Sequence, residues 1–326
     1  MEVSNSLKGK TTLITGGAGS FGQKFTEVVL KEYNPKAIWI YSRGELLQSE
    51  MERGFNDSRL HFIIGDIRDK VRLNSAVIMA EPDIIVHAAA LKMIPPIEYN
   101  PYESVQTNII GPINLIEVAI EHGVEKVFGI STDKACHPVN FYGACKMLME
   151  KLFIEANRYQ KTKFSCSRYG NVVNARGEIL EIWKEQAKTG KLTITDERMT
   201  RFWLTIEEGV RFVINCIEKM VGGEIFIPKR LPSIRMIDLA RAIAPEAELI
   251  HIGIRPGEKL HESLISIDEA RHSKEFDDCY IIEPELDFWK GIEGRSLPGD
   301  FRYSSDTNKW KLSVKEISDY LSSYKS

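Results

Sequence analysis

TTLITGGAGSFG, Thr11 to Gly22, sets a β-branched run directly ahead of a glycine-rich turn. Thr11 to Thr15 reads as a buried strand and residues 21–33 as a helix, so the turn joins a strand to a helix near the start of the chain. Gly16, Gly19 and Gly22 form G-x-x-G-x-x-G. Glycine at these places allows a tight turn, close approach of backbone to a pyrophosphate and close helix–strand packing. The helix start, with Ser20 and Phe21, presents free N–H groups and a positive dipole end to phosphates. A glycine triplet alone is weak; its strand, its helix and its position together point to a dinucleotide site.

Further strands follow at 37–42, 60–66, 84–89 and 126–131, each a continuous apolar run, as in a parallel sheet covered on both faces. Helical patterns lie between them, notably 105–121 and 142–158. This alternation predicts an α/β fold, a doubly wound parallel sheet of Rossmann type. After residue 172 prolines and glycines cluster and strands shorten. The expected organisation is residues 1–172 as the dinucleotide-binding domain, with later segments returning to it. Residues 173–326 form a smaller, mainly substrate-binding α/β domain. Ser313 and Glu316 mark the capping box of a last helix.

The end of the second strand reads YSRGE. An NAD site commonly places a carboxylate there for the ribose 2′-OH. Here Ser42 and Arg43 offer a hydroxyl and a guanidinium, which suit a 2′-phosphate, so NADP is the expected cofactor. The opposing reading leaves Arg43 as a surface charge and gives the acidic residue's task to Glu45. Asp66, after the third strand, is placed to accept from the adenine amino group and also fits as a helix cap for the segment from Arg68. Ile67, Ala88, Ala89 and Lys92, past the third and fourth strands, complete the expected cofactor wall.

Tyr142 and Lys146 stand four apart on a predicted helix and share a face. A nearby ammonium favours the phenolate, which makes Tyr142 a base for an alcohol proton. Lys146 can also hold a ribose, and Thr132 can hydrogen-bond the same substrate oxygen. Here the chain resembles the extended short-chain dehydrogenase/reductase family. Hydride transfer alone does not need the neighbouring Asp133-Lys134. A hexose dehydratase does: C4 oxidation acidifies C5–H, a base removes that proton, and an acid protonates the departing C6 hydroxyl. Lysine is a base only if its pKa is pushed down, and the carboxyl must carry a proton.

The pattern STDKA…P-x-N-x-YG-x-x-K, Ser131 to Lys146, resembles the UDP-N-acetylglucosamine 4,6-dehydratases, in particular their soluble, C5-inverting group. HAAALK (87–92), EYNP (98–101), Thr107-Asn108, RYGNV (168–172), ITDERMTRFW (194–203) and RPGEKLHE (255–262) extend the likeness over nearly the whole chain. The resemblance implies Asp133 as acid, Lys134 as C5 base, Tyr142 with Lys146 as the oxidising pair, and UDP-N-acetylglucosamine as substrate. It also implies a homo-oligomer, a dimer through the helices near 105–121 and 142–158 or a hexamer built from it. Met93, Cys136-His137 and Cys145 depart from the usual pattern. Cys136 and His137 lack the further ligands of a metal site, so no metal is expected; Cys136 is a candidate reactive thiol.

For the substrate's diphosphate, Arg201 and Arg255 are the guanidinium candidates. Asn171, Glu258 and Lys92 are placed for its phosphate, ribose and sugar oxygens. His87 reads as a core histidine. Across 326 residues, 43% hydrophobic and 27% charged with net charge −3, no basic stripe supports nucleic acid as a partner. Five scattered cysteines without C-x-x-C argue against a disulfide framework. No run nears the ~20 apolar residues of a membrane span, and the start lacks a signal-peptide core. A cytoplasmic protein is expected. Two other reactions remain open, UDP-sugar 4-epimerisation and C5-retaining dehydration, and a non-catalytic NADP-sensing protein is the reading from another class.

Overall fold

The computed structural model describes residues 6–173 and 179–323. The strand–helix alternation appears as β1 (Thr11–Thr15), α1 (Ser20–Glu32), β2 (Ala37–Ser42), α2 (Glu45–Phe55), β3 (Leu60–Ile64), α3 (Lys70–Ala80) and β4 (Ile84–His87). Two short helices follow, α4 (Ile94–Tyr99) and α5 (Pro101–Val105), then α6 (Gly111–Glu121), β5 (Lys126–Ile130), α7 (Phe141–Ala156) and β6 (Lys163–Ser167). These six strands pair in parallel in the order β3-β2-β1-β4-β5-β6. The order reverses between β1 and β4, so the chain diverges there at the carboxyl ends and leaves a crevice. The strand Ile225–Pro228 joins β6 in parallel, and three antiparallel strands from residues 273–296 widen the sheet to ten.

Two apolar layers cover the sheet. On one side Phe25, Val28 and Val29 of α1 and Val210, Val213 and Ile217 of the helix Ile206–Lys219 pack on Ile14, Ile38 and Ile40. On the other, Leu73, Leu115, Val118, Met149 and Phe153 close over Leu13, Ile85 and Val127. A third cluster off the sheet joins Trp183, Leu192, Trp203, Leu239 and Ile317. The last helix, Val314–Ser323, starts with the expected reciprocal bonds between Ser313 and Glu316.

The helix expected over 105–121 is not uniform. A π-turn occupies Gln106–Ile110, where Gly111 N donates to Gln106 O, five residues back. Pro112 supplies no N–H for the Asn108 carbonyl and its ring crowds that position, which favours the wider turn. Asn108 is thereby free to clamp the loop after β4: its Oδ1 accepts from Leu91 N and its Nδ2 donates to Leu91 O, both at 2.8 Å.

One buried ion cluster ties the sheet to the C-terminal segments. Arg168, just past β6, donates from Nε and Nη2 to Glu150 of α7 at 3.1 and 2.7 Å and from Nη1 to Glu269 at 2.9 Å. Ser131 Oγ, past β5, donates to the same Glu150 carboxylate. Burial works against the Glu269 carboxylate, but Arg168 and the hydrogen bonds from Ser266 together outweigh it and hold that group down at about 2. Removing one member of such a cluster leaves an uncompensated buried charge. Arg168→Ala is expected to cost about 3–5 kcal/mol, whereas Arg211→Ala, which breaks a half-exposed pair with Glu32, costs under about 1 kcal/mol. Urea denaturation of the two variants checks the contrast.

Candidate functional site

A cleft of about 1070 Å³ opens at the carboxyl ends of β1, β2, β4 and β5. At its nucleotide end Gly16 has φ +71°, and a Cβ there would lie 2.7 Å from the Ala89 backbone. The turn therefore presses against Ala88 and Ala89. Gly19 is the N-cap of α1 with no side-chain cap and no acid in the first turn, so the helix start is open to an anion. These features fit a dinucleotide pyrophosphate. Gly19, Ser20 and Phe21 line the cleft; Gly22 sits behind the turn, against Gly17.

Ser42, Arg43, Asp66 and Ile67 line the far end, and Glu45 does not. Ser42 Oγ accepts from Gln48 Nε2 at 2.9 Å, which leaves its own proton to donate. Arg43 is 56% exposed, with Nη1 3.7 Å from Asp66 Oδ2. Burial alone would raise the Asp66 carboxyl, but three hydrogen bonds from Arg68, helped by the charges of Arg68 and Arg43, lower its pKa. The cap of α3 is Asp69 rather than Asp66: its side chain accepts from Arg72 N, and Asp66 instead closes a turn onto Arg68 N.

The reactive segment is built around the tip of β5. Thr132 is extended, Asp133–Ala135 make one 3₁₀ turn, and α7 is seated directly on that turn. The seat is Gly143, where a Cβ would lie 2.2 Å from Lys134 O. Asn140 caps α7 by accepting from Gly143 N at 2.7 Å and donates to Gly257 O at 2.8 Å, while Glu98 accepts from Phe141 N. Thr132, Lys134, Tyr142, Lys146, Ala88, Ala89 and Lys92 all face the one cleft. Asp133 stands behind them, fully buried. Its Oδ1 accepts from Thr132 Oγ1 and Lys134 Nζ, both at 3.0 Å, and its Oδ2 has no hydrogen-bond partner among the described residues.

The two lysines differ. Burial lowers Lys146 to about 8, and its Nζ donates to Ile130 O at 2.7 Å. Burial also opposes charge on Lys134, but Asp133 and Glu262 outweigh it, and Lys134 is held above its ordinary range. The expected depression of Lys134 is therefore corrected: without substrate it is an ammonium in an ion pair. Cys136 is corrected as well. It is buried, and burial first, with Glu269 beside it, raises the thiol to about 12, so no reactive thiolate is present. His87 is a core residue, pushed down to about 3 by burial, with Nδ1 2.8 Å from Thr15 Oγ1 and Nε2 unpartnered among the described residues.

At the other end Asn171, Arg255 and Glu258 line the cleft. Asn171 Oδ1 and Thr107 Oγ1 are buried without a partner among the described residues. Arg255 pairs with Glu258, Nε to Oε1 at 3.5 Å. Arg201 is not brought to this wall. Its guanidinium is spent on the carbonyls of Thr200, Leu260 and Lys259, at 2.7, 3.1 and 2.9 Å. It pins the 255–262 segment. Motif reading also passed over Asn108, Asn140, Glu98 and Glu262, all of them inside or beside the quoted stretches. The signal was an acidic or amide residue inside a stretch already singled out by its pattern.

Comparison with known proteins places this geometry. A "UDP-N-acetylglucosamine 4,6-dehydratase (inverting)" of Campylobacter jejuni subsp. jejuni serotype O:23/36 is 47% identical, covering 97% of this chain and 98% of that protein. A "UDP-glucose 4-epimerase" of Rickettsia conorii is 36% identical over 96% of this chain and 95% of its own length. The solved structure of Pen from Bacillus thuringiensis superposes with a TM-score of 0.89 at 32% identity, covering 98% of each chain. The family model described as polysaccharide biosynthesis protein matches residues 12–284, and the chain belongs to that family.

Proposed function

We propose that the chain is an NADP-dependent UDP-N-acetylglucosamine 4,6-dehydratase that inverts C5. The observation that carries this reading is the Asp133–Lys134 ion pair at the tip of β5, with Lys134 in one cleft beside Tyr142 and Lys146 and Asp133 buried directly behind it. The 47% identical relative bears the name of that reaction.

The open start of α1 and Gly16 would take the pyrophosphate, Ser42 and Arg43 the 2′-phosphate, Asp66 and Ile67 the adenine side, and Ala88, Ala89 and Lys92 the wall beside the nicotinamide. NADP held there would supply the hydride exchange between C4 and C6. Tyr142 takes the C4 hydroxyl proton, with the Lys146 ammonium supporting the phenolate and holding ribose. Oxidation at C4 acidifies C5–H, and Lys134 must then be a free amine. Asp133 Oδ1, 3.0 Å away, is positioned to take its proton. That single shift turns the ion pair into the acid–base pair the elimination needs. Lys134 removes the C5 proton. The Thr132 hydroxyl, which faces the cleft, protonates the C6 oxygen and takes the Asp133 proton in exchange, and water leaves. Once C6 has its hydride, C5 takes a proton from solvent on the opposite face and Tyr142 releases the C4 hydroxyl proton to solvent, so the phenolate, the ammonium and the carboxylate that remain are the starting set.

Asn171, Thr107, Arg255, Glu258 and Lys92 are assigned to the UDP-sugar, and the segments after residue 172 that do not return to the main sheet are assigned to the substrate side. Arg201 acts through the 255–262 backbone.

The direct test feeds UDP-N-acetylglucosamine in deuterated water. Loss of one water by mass spectrometry with deuterium at an inverted C5 by NMR supports the reading. A C4 epimer of unchanged mass replaces it with a 4-epimerase, and deuterium at an uninverted C5 with a retaining enzyme. Lys134→Ala is expected to slow water loss by about 10²–10⁴-fold while C4 oxidation persists as enzyme-bound reduced-nicotinamide absorbance. Undiminished water loss would remove Lys134 from the mechanism. Arg43→Asp is expected to weaken NADP relative to NAD by roughly ten- to a hundredfold in binding titrations, the worth of a charged hydrogen bond.

A further inference from the structure

A second carboxylate lies behind Lys134 that the mechanism above does not use. Glu262 is buried, with 3% of its side chain exposed and Oε1 3.8 Å from Lys134 Nζ. Its Oε2 is 3.4 Å from Lys259 Nζ, in a geometry that makes no hydrogen bond, so that oxygen has no hydrogen-bond partner among the described residues. Lys259 donates to Cys136 O at 2.8 Å. The backbone at Glu262 is fixed on both sides, its N donating to Ser305 Oγ at 3.0 Å and its O accepting from Ser305 N at 2.8 Å. Charges thus alternate through the wall as Asp133, Lys134, Glu262 and Lys259, with the Arg201 guanidinium the remaining charge acting on Lys134. A carboxylate at this depth costs desolvation that an alanine would not.

We propose that Glu262 is a positioning residue of the acid–base pair: from inside the wall it retains the single proton that Asp133 and Lys134 share. The inference rests on the dehydratase reading. The pair works with one proton between its two members. With none, C6 has no acid; with two, C5 has no base. Its apparent constants belong to the pair and not to either residue. A negative charge about 4 Å away raises the pH at which the last proton leaves by about 1–3 units. The direction of Lys134 agrees: burial lowers it, and Asp133 with Glu262 more than reverses that.

The test compares the parent, Glu262→Gln and Lys259→Met, loaded with NADP and UDP-N-acetylglucosamine across a pH series. Two signals are followed, water loss by mass spectrometry and reduced-nicotinamide absorbance. Where the pair has lost its proton, C4 is oxidised but no water leaves, so the absorbance accumulates. In Glu262→Gln the onset of accumulation is expected about 1–3 pH units lower than in the parent. In Lys259→Met, which leaves the Glu262 charge unopposed, the onset moves higher. An unmoved onset in Glu262→Gln, or no accumulation in either protein, overturns the proposal. If Glu262→Gln does not fold, Lys259→Met decides alone, and an onset unmoved or lowered overturns it. A parent that never releases water overturns the dehydratase reading and this inference together, which separates the two failures.

Discussion

Arg168 is the constraint behind the reactive turn. Its guanidinium is sealed between Glu150 of α7 and Glu269 of the C-terminal half, and bidentate geometry to Glu150 makes the pairing directional as well as strong. Ser131 leans on the same Glu150, and Thr132 and Asp133 are the next two residues. The strand tip, the helix bearing Tyr142 and Lys146, and the segment bearing Glu262 are therefore referred to one buried charge. Gly143 completes the arrangement by letting α7 touch the turn at Lys134 O. Catalytic groups must be held within a fraction of an ångström, and that precision comes from the layer behind them.

That rigid frame allows two lysines in one cleft to hold opposite characters. Both are withdrawn from water, which alone would depress both. Among the described residues Lys146 donates to a carbonyl and a thioether, and burial outweighs the pull of Glu150 and lowers it to about 8. Lys134 meets two carboxylates and is raised. The difference lies in the neighbours, not in depth. An amine near 8 can act as a responsive support for a phenol. One locked in an ion pair delivers basicity only after its proton moves to the partner, which couples the appearance of the base to the appearance of the acid.

The fold was legible because its signals are local and repeated. The turn at Gly16 to Gly22 and the continuous apolar strands each required only a few adjacent residues, and β1 and β2 fall where the runs predict. Tyr142, Lys146, Thr132 and Lys134 were legible as a group because helix and strand periods carry them to one edge. The misreadings share a cause. Arg201 and Arg255 look equivalent in sequence, but only tertiary contacts reveal that Arg201 is consumed by three carbonyls. The state of Lys134 depended on Glu262, 128 positions later in the chain. The π-turn at Gln106–Ile110 is a compromise around Pro112 that periodicity alone smooths over.

Relatives that align along almost the whole chain carry the names of two different reactions, a 4,6-dehydratase and a 4-epimerase. The shared fold therefore cannot choose between them, and neither can a tyrosine–lysine pair that serves oxidation at C4 in either case. What distinguishes elimination is the need for a proton donor and a proton acceptor at adjacent carbons. On the proposed reading Asp133 and Lys134 would supply both from neighbouring residues, with one proton between them. On that reading a sheet edge becomes a lyase site through the two residues placed at the end of one strand.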